Sequence, residues 1–260
     1  MNLNIVPAKT GALWVRQGIR TFWRQPLAMT GLFFLFMATI SLVSLLPIGG
    51  SAIALALLPS LTLGMMAATQ TATEARFPMP ATLFLALKPG PRRGPMLQLG
   101  AAYAGGFALV MAASMLVDGG TFARIYLGGE SASPEVLGSE AFQSAVWVSM
   151  LLYVPLSMMF WHAPALVYWH GVSPVKSLFF SWMACWRNLK AFIVYLLVWS
   201  MVFMGAGMVA LLVSSLLGNP QLLTAVLMPL VLMVAAMFFT SMLFTVRDCF
   251  TALPHPIEPV

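Results

Sequence analysis

The chain has 260 residues, 60% hydrophobic and only 8% charged, with mean hydropathy +0.91. A soluble globular domain carries roughly 25% charged residues, and a water-exposed fold this poor in charge would present large apolar patches, so lipid is the expected solvent. The formal net charge of +6 sits in short clusters between apolar runs with no polar domain to carry a groove, which excludes nucleic acid as a partner and fits the sorting of cations to the cytoplasmic side of a membrane.

The first 26 residues carry Lys9, Arg16, Arg20 and Arg24. The pattern predicts a helix with Thr10 as N-cap and Pro26 as its stop. Val15, Ile19 and Phe22 share one face, Trp14 and Trp23 lie near its edges, and Arg16, Arg20 and Arg24 form an i, i+4 stripe. Such a helix suits the membrane interface, cations toward anionic headgroups. The apolar run that follows, Leu27 to Leu46, is longer than the 7–15-residue core of a secretory signal, and reads as a retained first span.

Crossing the hydrocarbon takes about 20 mostly apolar residues. Pro47, Gly49 and Gly50 divide the uncharged stretch 27–73 into spans near 27–47 and 51–71. Pro80 to Lys88, ended by Pro89-Gly90-Pro91, reads as a second surface helix. A third span covers 96–117, and a loop with Asp118, Arg124, Glu130, Glu135 and Glu140 occupies 118–144. The fourth span, 143–168, contains Pro155 and Pro164. Ser173 as N-cap and Pro174 at the first helical position open a third surface helix running to Asn188. Leu178, Phe179, Trp182 and Trp186 supply its apolar bulk, Lys176 and Arg187 its charge. Spans five and six cover 191–217 and 221–246, with Gly218-Asn219-Pro220 between them.

Six crossings place every Lys and Arg except Arg124 on one side, which positive-inside sorting makes cytoplasmic together with both termini. The expectation is an all-α integral membrane bundle of six transmembrane helices with about three cytoplasmic interfacial amphipathic helices. Its parts are an N-terminal segment 1–26, a transmembrane domain 27–250 and a Pro-rich cytoplasmic tail 251–260.

Chemistry is sparse. The uncharged runs hold no Asp or Glu, the groups on which proton-coupled carriers rely. His162 and His170 are a candidate polar site inside the membrane. An i, i+8 spacing sets them roughly 12 Å apart along one helix, so they cannot share a metal unless the helix breaks, and Pro164 could break it. The flanking Trp residues suit an interface position. Intramembrane Ser and Thr residues are expected to bond back to their own helix carbonyls. The glycines of spans three and five are expected to let helices pack closely, or to mediate homodimerisation. Scattered Met residues read as filler, and Cys185 and Cys249 as small buried apolar residues near the cytoplasmic face. No metal and no cofactor is implied, and no enzyme.

Two echoes hint at an internal repeat: Trp23-Arg24-Gln25 against Trp186-Arg187-Asn188, and Phe77-Pro78-Met79-Pro80 against Gly171-Val172-Ser173-Pro174. Each leads into a helix.

The segments Leu58-Pro59-Ser60-Leu61-Thr62-Leu63-Gly64, Ala163-Pro164-Ala165-Leu166-Val167 and Ser173 to Ser181, with Trp186-Arg187-Asn188, resemble a family of multi-pass inner-membrane proteins of beta-proteobacteria that has no assigned activity. The resemblance spans most of residues 8–250 and implies architecture and location, with no functional residue to carry over. More distantly, the pattern is similar to the membrane domain fused to glycerophosphodiester phosphodiesterases, whose catalytic domain is absent from this sequence.

These features point to an inner-membrane protein acting as scaffold or partner in the cell envelope. The alternative is a facilitator or transporter subunit for a small or lipid-like molecule. Arg16, Arg20, Arg24, Arg92, Arg93 and Lys176 are the expected contacts to anionic lipid headgroups. A second copy of the chain or another membrane protein is the expected protein partner.

Overall fold

The computed structural model describes residues 2–218 and 221–250. Among these, six helices are long and apolar enough to cross a membrane: Pro26–Ser44 (α2), Gly50–Thr73 (α3), Arg93–Asp118 (α4), the broken span Glu140–His170, Leu189–Leu216 (α10) and Gln221–Cys249 (α11). The broken span consists of α7 (Glu140–Trp161) and α8 (Ala163–His170). Helix fits the medium, since hydrocarbon offers backbone groups no partner outside the segment itself. The tail 251–260, and Asn219 and Pro220 of the expected turn, lie outside the described residues.

α3 is the hub. It packs on α2, α4, α8 and α11 and contributes to two apolar cores. Leu61, Met65 and Met66 join Phe33, Phe36, Trp199 and Leu243 in one; Leu63 joins Leu99, Phe107, Leu156 and Phe160 in the other. Methionines fill both the interior (Met29, Met65, Met96) and the outward surface (Met201, Met204, Met208). The buried hydroxyls of Thr69, Ser149 and Thr240 each donate to the carbonyl four residues back.

The expected 118–144 loop contains two further helices, α5 (Thr121–Gly128) and α6 (Pro134–Gly138). Asp118 shapes this turn by accepting from the Gly120 and Phe122 amides at 2.9 and 2.6 Å. This end of the molecule carries Arg124, paired with Glu130 at 3.7 Å.

The opposite, basic end corrects three expectations. The first helix, α1 (Thr10–Phe22), starts one residue after its cap, Lys9, and Thr10 is its first residue. It does not lie free at the interface. Trp14, Val15 and Phe22 are buried against α10 and α11, so Trp14 is a core anchor instead of an edge residue. Gly18 makes the approach feasible: a Cβ there would collide with Ser241 of α11.

The segment Pro80–Leu87 is a 3-10 helix with a kink at Phe84. It lies over α3 where Gly64 lets the Leu83 backbone close in, and a side chain at Gly64 would strike the Leu83 carbonyl.

The third surface helix, α9 (Pro174–Arg187), is amphipathic in the reverse sense. Its small residues Ser177, Ser181, Ala184 and Cys185 face the protein, while Phe179, Trp182 and Trp186 point outward. The echoing segments therefore differ, one a 3-10 turn and the other an α-helix, although both begin with proline.

Gly100 packs against Ala56 of α3, whereas nothing lies near a Cβ added at Gly105, Gly205 or Gly207. Replacing Gly18 by Leu should therefore overpack the α1–α11 crossing and cost about 2 kcal/mol or more. The same change at Gly205 should be nearly neutral. Thermal unfolding of the two variants in one detergent, read by tryptophan fluorescence, compares them directly.

Candidate functional site

The helix break at His162 has a specific cause. Pro164 lacks the amide that would bond to the Phe160 carbonyl. The amide of His162 would ordinarily bond to the Met158 carbonyl, but the Ser181 hydroxyl stands between them. It accepts from His162 N at 2.9 Å and donates to Met158 O at 2.7 Å. A side chain inserted in the helical ladder is a recognised origin of kinks. The substitution keeps both backbone groups satisfied while joining α9 to the fourth span. Cys185 adds a longer contact to the same carbonyl at 3.7 Å, and its sulfur lies 3.8 Å from His162 Nδ1.

His162 is fully buried, edge-on to Phe192 and Phe250. The histidine expected at the interface has its ring enclosed by protein. His162 meets Cys185 and not His170, which lies at the end of α8. Among the described residues no three His, Cys, Asp or Glu side chains come together as a metal cluster. Both cysteines are free and buried. Burial pushes the Cys185 thiol up, and the nearby Cys249 adds in the same direction.

Asn188 is the next joint. It is buried, accepts from Val6 N at 2.8 Å, and donates to the carbonyls of Asn4 and Ala184, each at 3.0 Å. One side chain thus binds the extended N-terminal segment to the end of α9. Leu3 forms an antiparallel bridge with Phe250, Asn4 N donates to Cys249 O at 2.9 Å, and Trp14 Nε1 donates to Asp248 Oδ2 at 2.7 Å. The start and end of the described chain close on each other at the basic end.

A cavity of about 630 Å³ lies between the end of α3, the 3-10 segment and the start of α4, and Tyr168 of α8 also lines it. Arg76, Lys88, Arg92 and Arg93 line it, with Glu74 the acid among its lining residues. Glu74 pairs with Arg76. Among the described residues no ion pair engages Lys88, Arg92 or Arg93. Gln70, Thr71 and Thr82 add hydrogen-bonding groups, and Met79, Leu85 and Ala67 add apolar wall.

The structure thus brings Arg92 and Arg93 to one cavity. Arg16 and Arg20 lie exposed on α1, Arg24 lies exposed just after it and donates to the Thr73 carbonyl at 2.7 Å, and Lys176 is exposed on α9. Ser181, Asn188, Arg76 and Lys88 were not singled out as site residues from sequence. The helical spacing of Ser177, Ser181, Ala184, Cys185 and Asn188, a stripe of small and polar residues, was the signal that could have marked the α9 contact.

Six apolar helices arranged around a packed interior define a multi-pass integral membrane protein. The chain is 40% identical over 257 residues to a probable inner membrane protein of Burkholderia thailandensis, covering 96% of this chain and 94% of that one. It belongs to the family of that inner-membrane protein. No protein-family model and no solved structure matches the chain.

Replacing Asn188 by Ala should strand the Val6 amide and cost about 3 kcal/mol, the expense of leaving a buried donor unmet together with the lost bonds. Hydrogen exchange at Val6 should accelerate strongly, and unchanged protection would remove Asn188 from the joint. Cys185 should resist maleimide at pH 8 in the folded protein and react once unfolded. Its folded thiol keeps its proton to higher pH than the unfolded one, so this group contributes less stability as pH rises beyond about 8.5.

Proposed function

We infer that this inner-membrane protein is a non-enzymatic scaffold or partner for other envelope components, with both termini in the cytoplasm and the basic end against anionic headgroups. The observation that carries the reading is the filling of the bundle. Between the spans stand Leu, Met, Phe, Trp and Ala side chains, and most buried hydroxyls are turned onto their own helix carbonyls. Two described hollows lie at the ends: the basic cavity, and one of about 250 Å³ beside Asp118 and Glu135.

Orientation rests on charge. Basic loops resist translocation, and anionic lipid in the cytoplasmic leaflet attracts them by roughly 1 kcal/mol per cation. Arg16 and Arg20 on the outer face of α1 and Lys176 on α9 are placed for that attraction.

A facilitator is the second reading, supported by the break at His162. Nε2 of that residue is buried with no hydrogen-bond partner among the described residues, and broken helices can frame a substrate path.

Reporters fused after residue 130 should read periplasm and those after residue 92 cytoplasm; the reverse pattern would falsify the orientation. Native electrophoresis of mildly solubilised membranes should show the chain in a complex larger than its own mass. A free monomer together with solute flux in proteoliposomes would favour the facilitator.

A further inference from the structure

We propose that the basic cavity between α3, the 3-10 segment and α4 binds the phosphate-bearing headgroup of a single membrane lipid. The proposal deepens the reading of headgroup contact at the basic end, turning a diffuse charged surface into one defined site.

Four features carry it. The first is charge without neutralisation: after the Glu74–Arg76 pair is formed, Lys88, Arg92 and Arg93 remain on the lining of one cavity, and no ion pair among the described residues engages them. All three are exposed to the cavity mouth, and an anion bound there would offset their mutual repulsion. The second is donor geometry. Arg92 and Arg93 stand at the start of α4, a 26-residue helix whose positive dipole end favours an anion, and guanidinium groups match phosphate oxygens in pairs.

The third is amphiphilic lining. Met79 and Leu85 line the same cavity as the cations, so the site offers apolar surface to glycerol and the first acyl carbons as well as charge. The fourth is position. The cavity sits where α3 ends and α4 begins, next to exposed Phe77 and Met79, at the level expected for headgroups. A free inorganic phosphate would make no use of the apolar wall. The volume of about 630 Å³ falls within the 300–1,000 Å³ usual for small-molecule sites.

The floor is built and not incidental. Gly64 lets the 3-10 segment close down on α3, which holds the Pro80–Leu87 wall in place. Arg92 is packed against Gly171 in the turn after α8, where a side chain would displace the guanidinium. The cation is therefore braced from two spans.

The test uses the purified full-length chain in a neutral detergent, titrated with phosphatidylglycerol or phosphatidylcholine and read by native mass spectrometry. Phosphatidylglycerol should occupy one site per chain at least tenfold more tightly than phosphatidylcholine. Lys88→Gln with Arg93→Gln should abolish that preference without lowering the melting temperature, whereas Arg16→Gln with Arg20→Gln should leave it within about twofold. Retained preference in the cavity variant, or equal loss in the α1 variant, would overturn the site. Glycerol 3-phosphate and inorganic phosphate supply the second arm. Neither should displace the lipid at equal concentration, and displacement by either would assign the cavity to a free phosphate compound. This measurement is independent of orientation: reversed topology reporters would move the site to the other leaflet without emptying it.

Discussion

Inside a bilayer no water is at hand to repair a broken backbone hydrogen bond, and the architecture follows from how this chain meets that constraint. Five of its spans run without a break. The fourth breaks at His162, and a side chain from another helix steps into the gap. Because Ser181 bonds to both the amide and the carbonyl that the break separates, the cost of the kink is largely offset, and the repair itself ties α9 to the bundle. Unsatisfied, each backbone group would cost several kcal/mol in hydrocarbon.

The same logic organises the basic end. Apolar burial drives little association between helices in lipid, so close contact and hydrogen bonds do more of the work. Gly18 brings α1 onto α11, Gly64 brings the 3-10 segment onto α3, and Asn188 holds the extended N-terminal segment against α9. Once the apolar faces of α1 and the 3-10 segment are buried in protein, their cations are left outward or around a cavity. Arg76, Lys88, Arg92 and Arg93 line that cavity together.

Much of this was legible beforehand. Each of the six spans appears within a few residues of its reading, because length and apolarity alone decide what can cross hydrocarbon. Proline and glycine marked the turn after Ser44, the start of α9 and the weak point of the fourth span. Other features were not legible. Trp14 was read as an edge residue because α1 carries apolar side chains on more than one face, and which face is buried depends on where α10 and α11 lie. The aromatic residues of α9 were legible as its apolar bulk, but their direction was not: they point outward and the small residues inward, the reverse of the soluble pattern. His162 was read as an interface residue beside Trp161, and nothing in the local sequence placed its ring against Cys185.

From composition, hydropathy and charge order alone come the solvent, the number of crossings and the grouping of all cations but Arg124 at one end. These are one-dimensional properties, set by runs of residues longer than a bilayer is thick. Tertiary structure decided which cations share a cavity, which polar group mends the broken helix and which glycines serve as contacts while Gly105 and Gly205 face outward. Those outcomes depend on pairs such as His162 and Ser181, or Val6 and Asn188, far apart in the chain and joined only by packing, so no local pattern records them.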